Sequence, residues 1–421
     1  MTIAVGMLIF GILSMKSDNT TAMVFVVATV IMLLTAMSYA RLAVAYPVSG
    51  SVYTYARTLL GARVGFLSGW LLLLDYLFLP MVATYLGALY LHAQFTALPL
   101  WAWLIGLTMV VTAINIVGLK AADVVNKAFV TGSAVVVVIV MAIFTVHAAK
   151  SGHGSVAAPL WNGDTTVSGV AAAAAIAAYS FLGFDAITTL SEEAVDPRRN
   201  VPRALVLVVL VGGAVFTLVG YVLQIAIPVV DPSTADVAWY VALGRIAGSG
   251  VTDTLNVLLI VFSFSSAVAI QAGSSRLMYV MGRDGVLPKV FCGYLSRRFE
   301  TPVLNILLIG AITLAGGAFD LAEATSLINF GAFAAFTIVN VCAIVHVRRS
   351  GATGRGAVVT GLLLPLAGVV ANIYLMSQLS SLAKGLGIAW FGLGVVYLVW
   401  LTRGLRREPP QYSESEALAM A

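Results

Sequence analysis

Charged residues are scarce in this chain: only 10% of its 421 residues are Asp, Glu, Lys or Arg. Soluble globular proteins carry about 25% charged residues. Here 60% of the residues are hydrophobic and the mean hydropathy is +1.00. Such a chain cannot cover itself with charge, so its outer surface must face lipid. The composition excludes a soluble globular protein and predicts an all-α polytopic membrane protein.

Residues that bind metals or form disulfides are also few. The two cysteines, Cys292 and Cys342, imply no disulfide framework, and the four histidines show no ligand spacing. Glycine-rich nucleotide motifs and the HExxH motif are absent as well. We therefore expect no enzyme activity, no cofactor and no metal. The net charge of +5 does not indicate nucleic acid, because basic excess in a membrane protein usually reflects loop topology.

Apolar segments follow one another along the chain, and a membrane span takes about 20 such residues. Full spans are predicted at roughly 21–40, 64–92, 99–118, 127–149, 168–190, 204–228, 251–279, 303–318, 322–347, 357–378 and 383–402. A short apolar segment at 1–15 precedes them. The prediction is twelve transmembrane helices, the first of them truncated.

The basic residues predict the orientation. If the loop after the second span is cytoplasmic, 19 of the 23 lysines and arginines lie inside or at the inner boundary. Only Lys16, Lys150, Arg245 and Lys384 lie outside. This agrees with the positive-inside rule. It predicts a multi-pass protein of a bacterial plasma membrane with a disordered cytoplasmic tail at 404–421.

Two acidic residues interrupt the apolar spans, Asp75 in "WLLLLDYLFLP" and Asp185 in "FLGFDAI". A charged side chain at the bilayer centre costs about 2.5–3.5 kcal/mol or more, so such residues usually face the bundle interior and mark a pathway. No lysine or arginine lies within the apolar cores. These two acidic residues predict that the protein binds protons, metal ions or a cationic substrate. For Asp75, structural hydrogen bonding in the neutral form remains an equal alternative.

Gly183 suggests a reason for Asp185. A break near Ser180–Gly183 would let a half-helix begin near Phe184 and run to about Glu193. Asp185 would then lie in the first turn, where unpaired amides and the helix dipole stabilise a carboxylate. Discontinuous helices at membrane depth form the substrate sites of many secondary transporters.

Two polar segments lie between spans. In "SEEAVDPRRNVPRA", Glu192, Glu193 and Asp196 precede a cluster of arginines. We interpret it as either a solvated loop or an inner gate formed by ion pairs. The segment "AYPVSGSVYTYA" is interpreted as a polar re-entrant connection.

Several segments together resemble the amino acid–polyamine–organocation permease superfamily, and most closely its putrescine-importer-like branch. They are "MSYARLAVAYPVSGSVYTYA", "GFLSGWLLLLDYLFLPM", "SFLGFDAITTLSEEAVDPRRNVPRA", "SRLMYVMGRDGVLPKVF", "TPVLNILLIGAITL" and "LINFGAFAAFTIVN". The resemblance implies a LeuT-type 5+5 inverted repeat plus two further helices. Repeat one would occupy about 1–149, repeat two about 168–347 and the extra helices about 357–402, within one transporter domain at 1–403.

The resemblance also implies a substrate site at the breaks of spans 1 and 6. Backbone carbonyls around the span-6 break would meet the ligand's amino group. The candidate residues are Tyr179, Ser180, Phe181, Leu182, Gly183, Phe184 and Asp185, with the two phenylalanines as aromatic walls. A ligand carboxylate would meet the span-1 break near Gly6 or Gly11. Asp75 and Tyr76 match the family's third-helix "LDY" segment.

The chain departs from the family pattern in two ways. The family has an inner half of span 1 and a cytoplasmic N-terminus before the point where this sequence begins, and we expect an incorrect start or a truncated chain. Some relatives carry a lysine in span 5 that takes part in proton coupling, whereas "AFVTGSAVVVV" has none. Proton coupling would then need another group such as Asp75.

The leading hypothesis is a proton-coupled secondary transporter that moves a small amine such as putrescine through the bilayer by alternating access. An amino-acid permease or exchanger is the alternative. A non-transporting membrane sensor, or an inactive fragment, is the third.

Overall fold

The computed structural model describes residues 4–47, 51–118, 123–151, 155–191, 194–351 and 354–410. Within these ranges the chain forms helices and no strands. The α-helices are α1 (Val5–Leu8), α2 (Phe10–Lys16), α3 (Thr21–Ala45), α4 (Val52–Leu60), α5 (Ala62–Gln94), α6 (Leu100–Val117), α7 (Asp123–Ser151), α8 (Val167–Ala177), α9 (Pro197–Ala226), α10 (Ala238–Ala247), α11 (Ser249–Arg283), α12 (Lys289–Cys292), α13 (Val303–Ala315), α14 (Leu321–Ser350), α15 (Arg355–Val358), α16 (Leu364–Gln378) and α17 (Ser381–Leu401). The 3₁₀ turns are Ala178–Phe181, Asp185–Leu190, Pro232–Val237 and Gly316–Ala318, and Val359–Leu363 is a π-helical turn.

The predicted spans correspond to helices of the structure. Ten helical stretches in the described part of the chain are long and apolar enough to cross a membrane, and each coincides with a predicted span. The predicted span at 303–318 is a shorter apolar helix, Val303–Ala318. The chain is therefore an all-helical, multi-pass membrane protein.

The start of α14 is marked by its sequence. The Asp320 carboxylate accepts a hydrogen bond from the Glu323 amide at 2.6 Å, and the Glu323 side chain accepts one from the Asp320 amide. This capping box satisfies two amides that the first helical turn leaves without partners. It fixes where α14 begins, close to the turn Gly316–Ala318.

Small residues allow α3 and α9 to pack closely. A methyl group at Gly213 would collide with the side chain of Thr29. The Thr21 hydroxyl donates to the carbonyl oxygen of Gly220 at 2.9 Å. Glycine at such positions brings helix backbones together, which membrane helices need because lipid supplies little hydrophobic drive for their association.

Helix α5 lies at the centre of the bundle and contacts α4, α6, α11, α13, α14 and α17. Its contact with α14 depends on Gly331, where a Cβ atom would come within 2.8 Å of the Leu71 carbonyl oxygen. Asp75 lies one turn further along α5. The central packing of α5 thus places this acidic residue against α14 and inside the protein.

Three details differ from the sequence interpretation. The segment read as a polar re-entrant connection contains helix α4, which Ser51 starts by accepting a hydrogen bond from the Val52 amide at 2.6 Å. Its apolar face buries Tyr53 and Tyr55. The sequence analysis did not predict α10 and α12. The short first segment is two helical pieces that meet at Ile9, with φ −103° and ψ 3°.

Two predictions lie outside the described residues. Glu192 and Glu193, proposed for an inner gate, are not among them, nor is the end of the tail at 411–421.

Candidate functional site

The helix that carries Asp185 is interrupted, as the sequence predicted. Helix α8 ends at Ala177 and continues as the 3₁₀ turn Ala178–Phe181. Leu182 is extended, with φ −56° and ψ 143°, and Gly183 has φ +90°. The chain then resumes as the 3₁₀ turn Asp185–Leu190, which is shorter and tighter than the half-helix that we expected.

Gly183 is required by its backbone angle. A Cβ atom built on it would meet nothing within 4 Å, so space is not the constraint. A positive φ costs an ordinary L-residue about 1–2 kcal/mol. Glycine therefore allows the chain to reverse direction between the two turns.

Asp185 lies at the start of the second turn and is 4% exposed. The backbone amides of Gly183, Asp185 and Ala186 lie close enough to its carboxylate to favour the charged form. The first amides of a helical turn have no partners within the helix, and they point toward a region of partial positive charge. The break thus provides the donors that hold this carboxylate at membrane depth.

Asp75 is also buried, at 6% exposure, and its Oδ1 atom has no hydrogen-bond partner in the described part of the chain. It is close enough to Asp185 for the two carboxylates to interact electrostatically, and it acts on the Tyr179 phenol as well. No ion pair to either carboxylate occurs among the described residues. Asp75, Tyr179 and Asp185 therefore form an acidic centre, the name used below for these three residues.

A cavity of about 80 Å³ lies beside the acidic centre. Its walls come from α1, α5, α6 and α11, with Tyr179 contributing from the interrupted helix. Most of the lining is apolar. The polar exceptions are Thr84, Tyr90, Ser263 and Ser266. Such a cavity, apolar with few polar groups, is typical of a small-molecule site.

Tyr90 connects the cavity to the first segment. Its hydroxyl donates to the Leu8 carbonyl oxygen at 2.9 Å, and its ring centroid lies 5.4 Å from that of the fully buried Trp239. Leu8 precedes Ile9, where α1 ends and α2 begins. The cavity is thus bounded on one side by α1, next to the discontinuity at Ile9, and Tyr90 in its wall packs against α10.

Of the predicted site residues, Tyr179 lines this cavity, and Asp75 and Asp185 are not part of its wall. Phe181 packs edge-on against Phe216 at 5.4 Å, and Phe184 contacts the rings of Tyr39 and Phe336. Neither ring is among the residues that line the cavity, and nor is Leu182. The two phenylalanines hold the broken helix against its neighbours.

Three further candidates have definite positions. A methyl group at Gly11 would collide with the Ala235 carbonyl oxygen, so Gly11 allows α2 to approach the turn Pro232–Val237. The Tyr76 carbonyl accepts a hydrogen bond from the Ser274 hydroxyl, which joins α5 to α11. Ser180 is buried beside Tyr179, and its hydroxyl has no partner among the described residues.

Asn329 is a site residue that the sequence analysis missed. Its Nδ2 donates to the carbonyl oxygens of Ala175 at 2.7 Å and Ile176 at 3.3 Å, which lie in the last turn of α8. Its Oδ1 atom is buried without a partner in the described structure. The signal was present, because an asparagine inside the apolar run "LINFGAF" is as unusual as an aspartate.

Comparisons with known proteins agree with this architecture. The family described as "Amino acid permease" matches residues 3–385. The low-affinity putrescine importer PlaP of Escherichia coli (strain K12) is 38% identical over 419 residues, which cover 96% of this chain and 91% of PlaP.

Two Bacillus subtilis (strain 168) proteins are also similar. The branched-chain amino acid permease BcaP is 27% identical over 90% of this chain and 83% of its own length. The methylthioribose transporter is 29% identical over 76% of this chain and 72% of its own length. The superfamily resemblance is confirmed: this chain belongs to the amino acid permease family of membrane transporters.

Proposed function

We propose that this protein is a secondary transporter that moves a small amine such as putrescine by alternating access. The observation that carries the proposal is the acidic centre, in which two buried carboxylates interact electrostatically and no cationic side chain among the described residues pairs with them. Buried charges are normally paired. An ammonium group of the substrate would supply the missing positive charge, and the likeness to PlaP supports a diamine.

The positions of the two discontinuities support the transport mechanism. The first segment leaves the helical conformation at Ile9, and the segment beginning with α8 breaks at Gly183. Broken helices at the interface of two inverted repeats are how LeuT-type transporters form their sites. We infer that the chain has this 5+5 arrangement with two further helices, and that its C-terminus lies in the cytoplasm of a bacterial cell.

Proton coupling is assigned to Asp75. Its Oδ1 atom has no hydrogen-bond partner in the described residues, whereas backbone amides near the Asp185 carboxylate favour the charged form of that group. A carboxyl group without donors around it is better placed to exchange a proton. Substrate binding would then compete with protonation at Asp75, and this competition would couple the movement of substrate to the movement of protons.

An amino acid is the second candidate substrate. In the family that the sequence resembles, a substrate carboxylate meets the discontinuity of the first segment, which here lies beside the cavity at Ile9; putrescine has no carboxylate. An amino acid would therefore use both breaks, and a diamine only the acidic centre. The two substrates are distinguished by competition.

Uptake into proteoliposomes tests the proposal. We expect saturable uptake of radiolabelled putrescine, stimulated by an inward proton gradient. Asp185→Asn and Asp75→Asn should each reduce uptake at least about tenfold, because an amide does not attract an ammonium ion as a carboxylate does. The exposed Asp164 provides the control, and Asp164→Asn should transport normally.

Other outcomes would contradict the proposal. Normal uptake by both acidic-centre variants would show that these carboxylates do not bind the substrate. Inhibition by one unlabelled amino acid, together with uptake of that amino acid and none of putrescine, would establish the second candidate instead.

A further inference from the structure

The end of α8 receives its hydrogen bonds from another helix. Asn329 on α14 is fully buried, and its Nδ2 atom donates to the carbonyl oxygens of Ala175 at 2.7 Å and Ile176 at 3.3 Å. An amide nitrogen carries two hydrogens, so the nitrogen of this side chain is fully used on α8. The carbonyl oxygens of a last helical turn have no partners within the helix. Asn329 therefore caps α8 from outside.

The capped carbonyls are the ones that a longer α8 would use. In a continued α-helix, the amides of Tyr179 and Ser180 would bond to the carbonyls of Ala175 and Ile176, four residues earlier. Tyr179 and Ser180 belong instead to the 3₁₀ turn Ala178–Phe181, in which amides bond to carbonyls three residues earlier. The side chain of Asn329 thus takes the place of two helical amides.

Helix α14 contacts the interrupted segment on both sides of the break. Before the break the contact is Asn329. After the break, the ring of Phe336, two helical turns further along α14, lies 5.3 Å from the ring of Phe184. One turn beyond that, Asn340 accepts a hydrogen bond from the Ser38 hydroxyl at 2.6 Å, which joins α14 to α3. The capping amide is therefore carried by a helix that is held to its neighbours.

Removal of the capping amide would leave two buried carbonyls without these donors. An unpaired backbone group is costly at membrane depth, where no bulk water replaces the lost partner. The amides of Tyr179 and Ser180 can supply new donors if α8 extends by about one turn. Without the cap, rewinding of the 3₁₀ turn into α-helix is thus the change that satisfies these carbonyls.

We propose that Asn329 is a positioning residue of the transport site, which keeps α8 from continuing as an α-helix through Tyr179. Tyr179 lies three residues after Ile176 and lines the cavity beside the acidic centre. Rewinding would shorten and rotate this stretch, because the α-helix and the 3₁₀ helix differ in rise and in residues per turn. It would displace Tyr179 from the cavity wall. The consequence for transport rests on the proposed function, whereas the effect on α8 does not.

Asn305 provides a matched control, because it makes the same kind of contact away from the break. It lies on α13 and is fully buried, and its Nδ2 atom donates to the carbonyl oxygens of Cys292 at 2.9 Å and Ser275 at 3.3 Å. The Oδ1 atoms of Asn305 and Asn329 both lack a partner among the described residues. Asn305→Leu should therefore destabilise the protein as Asn329→Leu does, without changing α8.

Hydrogen–deuterium exchange of the full chain in lipid nanodiscs tests the winding of α8 without any substrate. Asn329→Leu should slow amide exchange in the peptide 177–185 about fivefold, because Tyr179 and Ser180 gain α-helical hydrogen bonds. Asn329→Asp keeps the size of the side chain and should have the same effect. An ionised carboxylate has no donor, and a protonated one has a single donor for two carbonyls. Asn305→Leu should leave exchange of this peptide unchanged.

Putrescine uptake into proteoliposomes gives the second readout. Asn329→Leu and Asn329→Asp should raise the KM about fivefold or more, because Tyr179 no longer lies in its place in the cavity wall. Asn305→Leu should lower the unfolding temperature and keep the KM of wild type. A purely structural role for Asn329 predicts instead that each variant has a lower unfolding temperature and an unchanged KM.

The outcomes separate this inference from the proposed function. Unchanged or faster exchange of the peptide 177–185 in Asn329→Leu and Asn329→Asp overturns the inference even if wild type transports putrescine. If the leucine variant does not fold, the aspartate variant decides alone. A wild-type KM in the Asn329 variants also overturns it. Slower exchange in a protein that takes up no putrescine supports the role of Asn329 at α8 and rejects the proposed function.

Discussion

Gly183 shows how one residue shapes the site. In the structure, the space around Gly183 is open and the residue has φ +90°. The constraint is therefore the backbone angle, and any L-residue encounters it whatever its size.

Gly183→Ala should therefore impair transport although alanine is small. The strain of about 1–2 kcal/mol would favour a backbone in which the amides no longer point at Asp185. We expect putrescine uptake to fall about fivefold or more with normal expression. Gly273→Ala is the control, because Gly273 lies inside α11 with no atom within 4 Å of an added methyl group. Equal uptake by both variants would contradict the role of the positive φ.

At the scale of elements, two tryptophans join α5 to α17. The Trp70 Nε1 atom donates to the Trp390 carbonyl at 2.9 Å, and the Trp390 Nε1 atom donates to the Trp70 carbonyl at 2.9 Å. Their rings stack with centroids 4.8 Å apart. A neutral hydrogen bond contributes about 0.5–1.5 kcal/mol, so this reciprocal pair is a concentrated contact between two spans.

Trp70→Phe should lower the unfolding temperature in detergent, because it removes the hydrogen bond from the indole to the Trp390 carbonyl. We expect a loss of about 1–2 kcal/mol and near-normal putrescine affinity, since the Trp70 ring packs against α17 and does not line the cavity beside the acidic centre. Trp161→Phe is the control, because Trp161 is 51% exposed. An unfolding temperature that falls equally in both variants would argue against the reciprocal contact.

At the scale of the whole molecule, the turn Pro232–Val237 contacts α2, α5 and α10, and its Asp236 makes stability depend on pH. Burial raises the pKa of Asp236, and the negative charge of Asp320 raises it further. An acid whose pKa in the folded state exceeds its unfolded value of about 3.9 binds more protons when folded. Its ionisation therefore destabilises the fold as the pH rises through this interval.

Asp236→Asn should raise the unfolding temperature at neutral pH and reduce its decline between about pH 4 and pH 7. Asp231 provides the opposite sign, because hydrogen bonds from Ser233 lower the pKa of its carboxyl group. Its contribution is present at neutral pH and is lost as the pH falls through the lowered value. The measurement compares the unfolding temperatures of wild type, Asp236→Asn and Asp231→Asn between about pH 4 and pH 7. A lower unfolding temperature for Asp236→Asn at neutral pH would contradict the assignment.

The sequence by itself determined the class, the spans and the unusual acids. Hydropathy is a local property, so ten spans could be predicted from composition along the chain. The cost of charge in lipid singled out Asp75 and Asp185, and glycine preceding Asp185 predicted the break. Amphipathic segments such as α4 were missed because their polar residues reduce the hydropathy on which the prediction depended.

Tertiary structure alone decided which of these residues meet. Whether Phe181 faces a ligand or Phe216 depends on the rotation of a broken helix, and that rotation is set by packing against α9. Asn329 and the last turn of α8 come together across a long sequence separation, which no local pattern encodes. The free energy of transfer into lipid and the local backbone conformation depend on the residues of a single segment, whereas the site arises from contacts between segments.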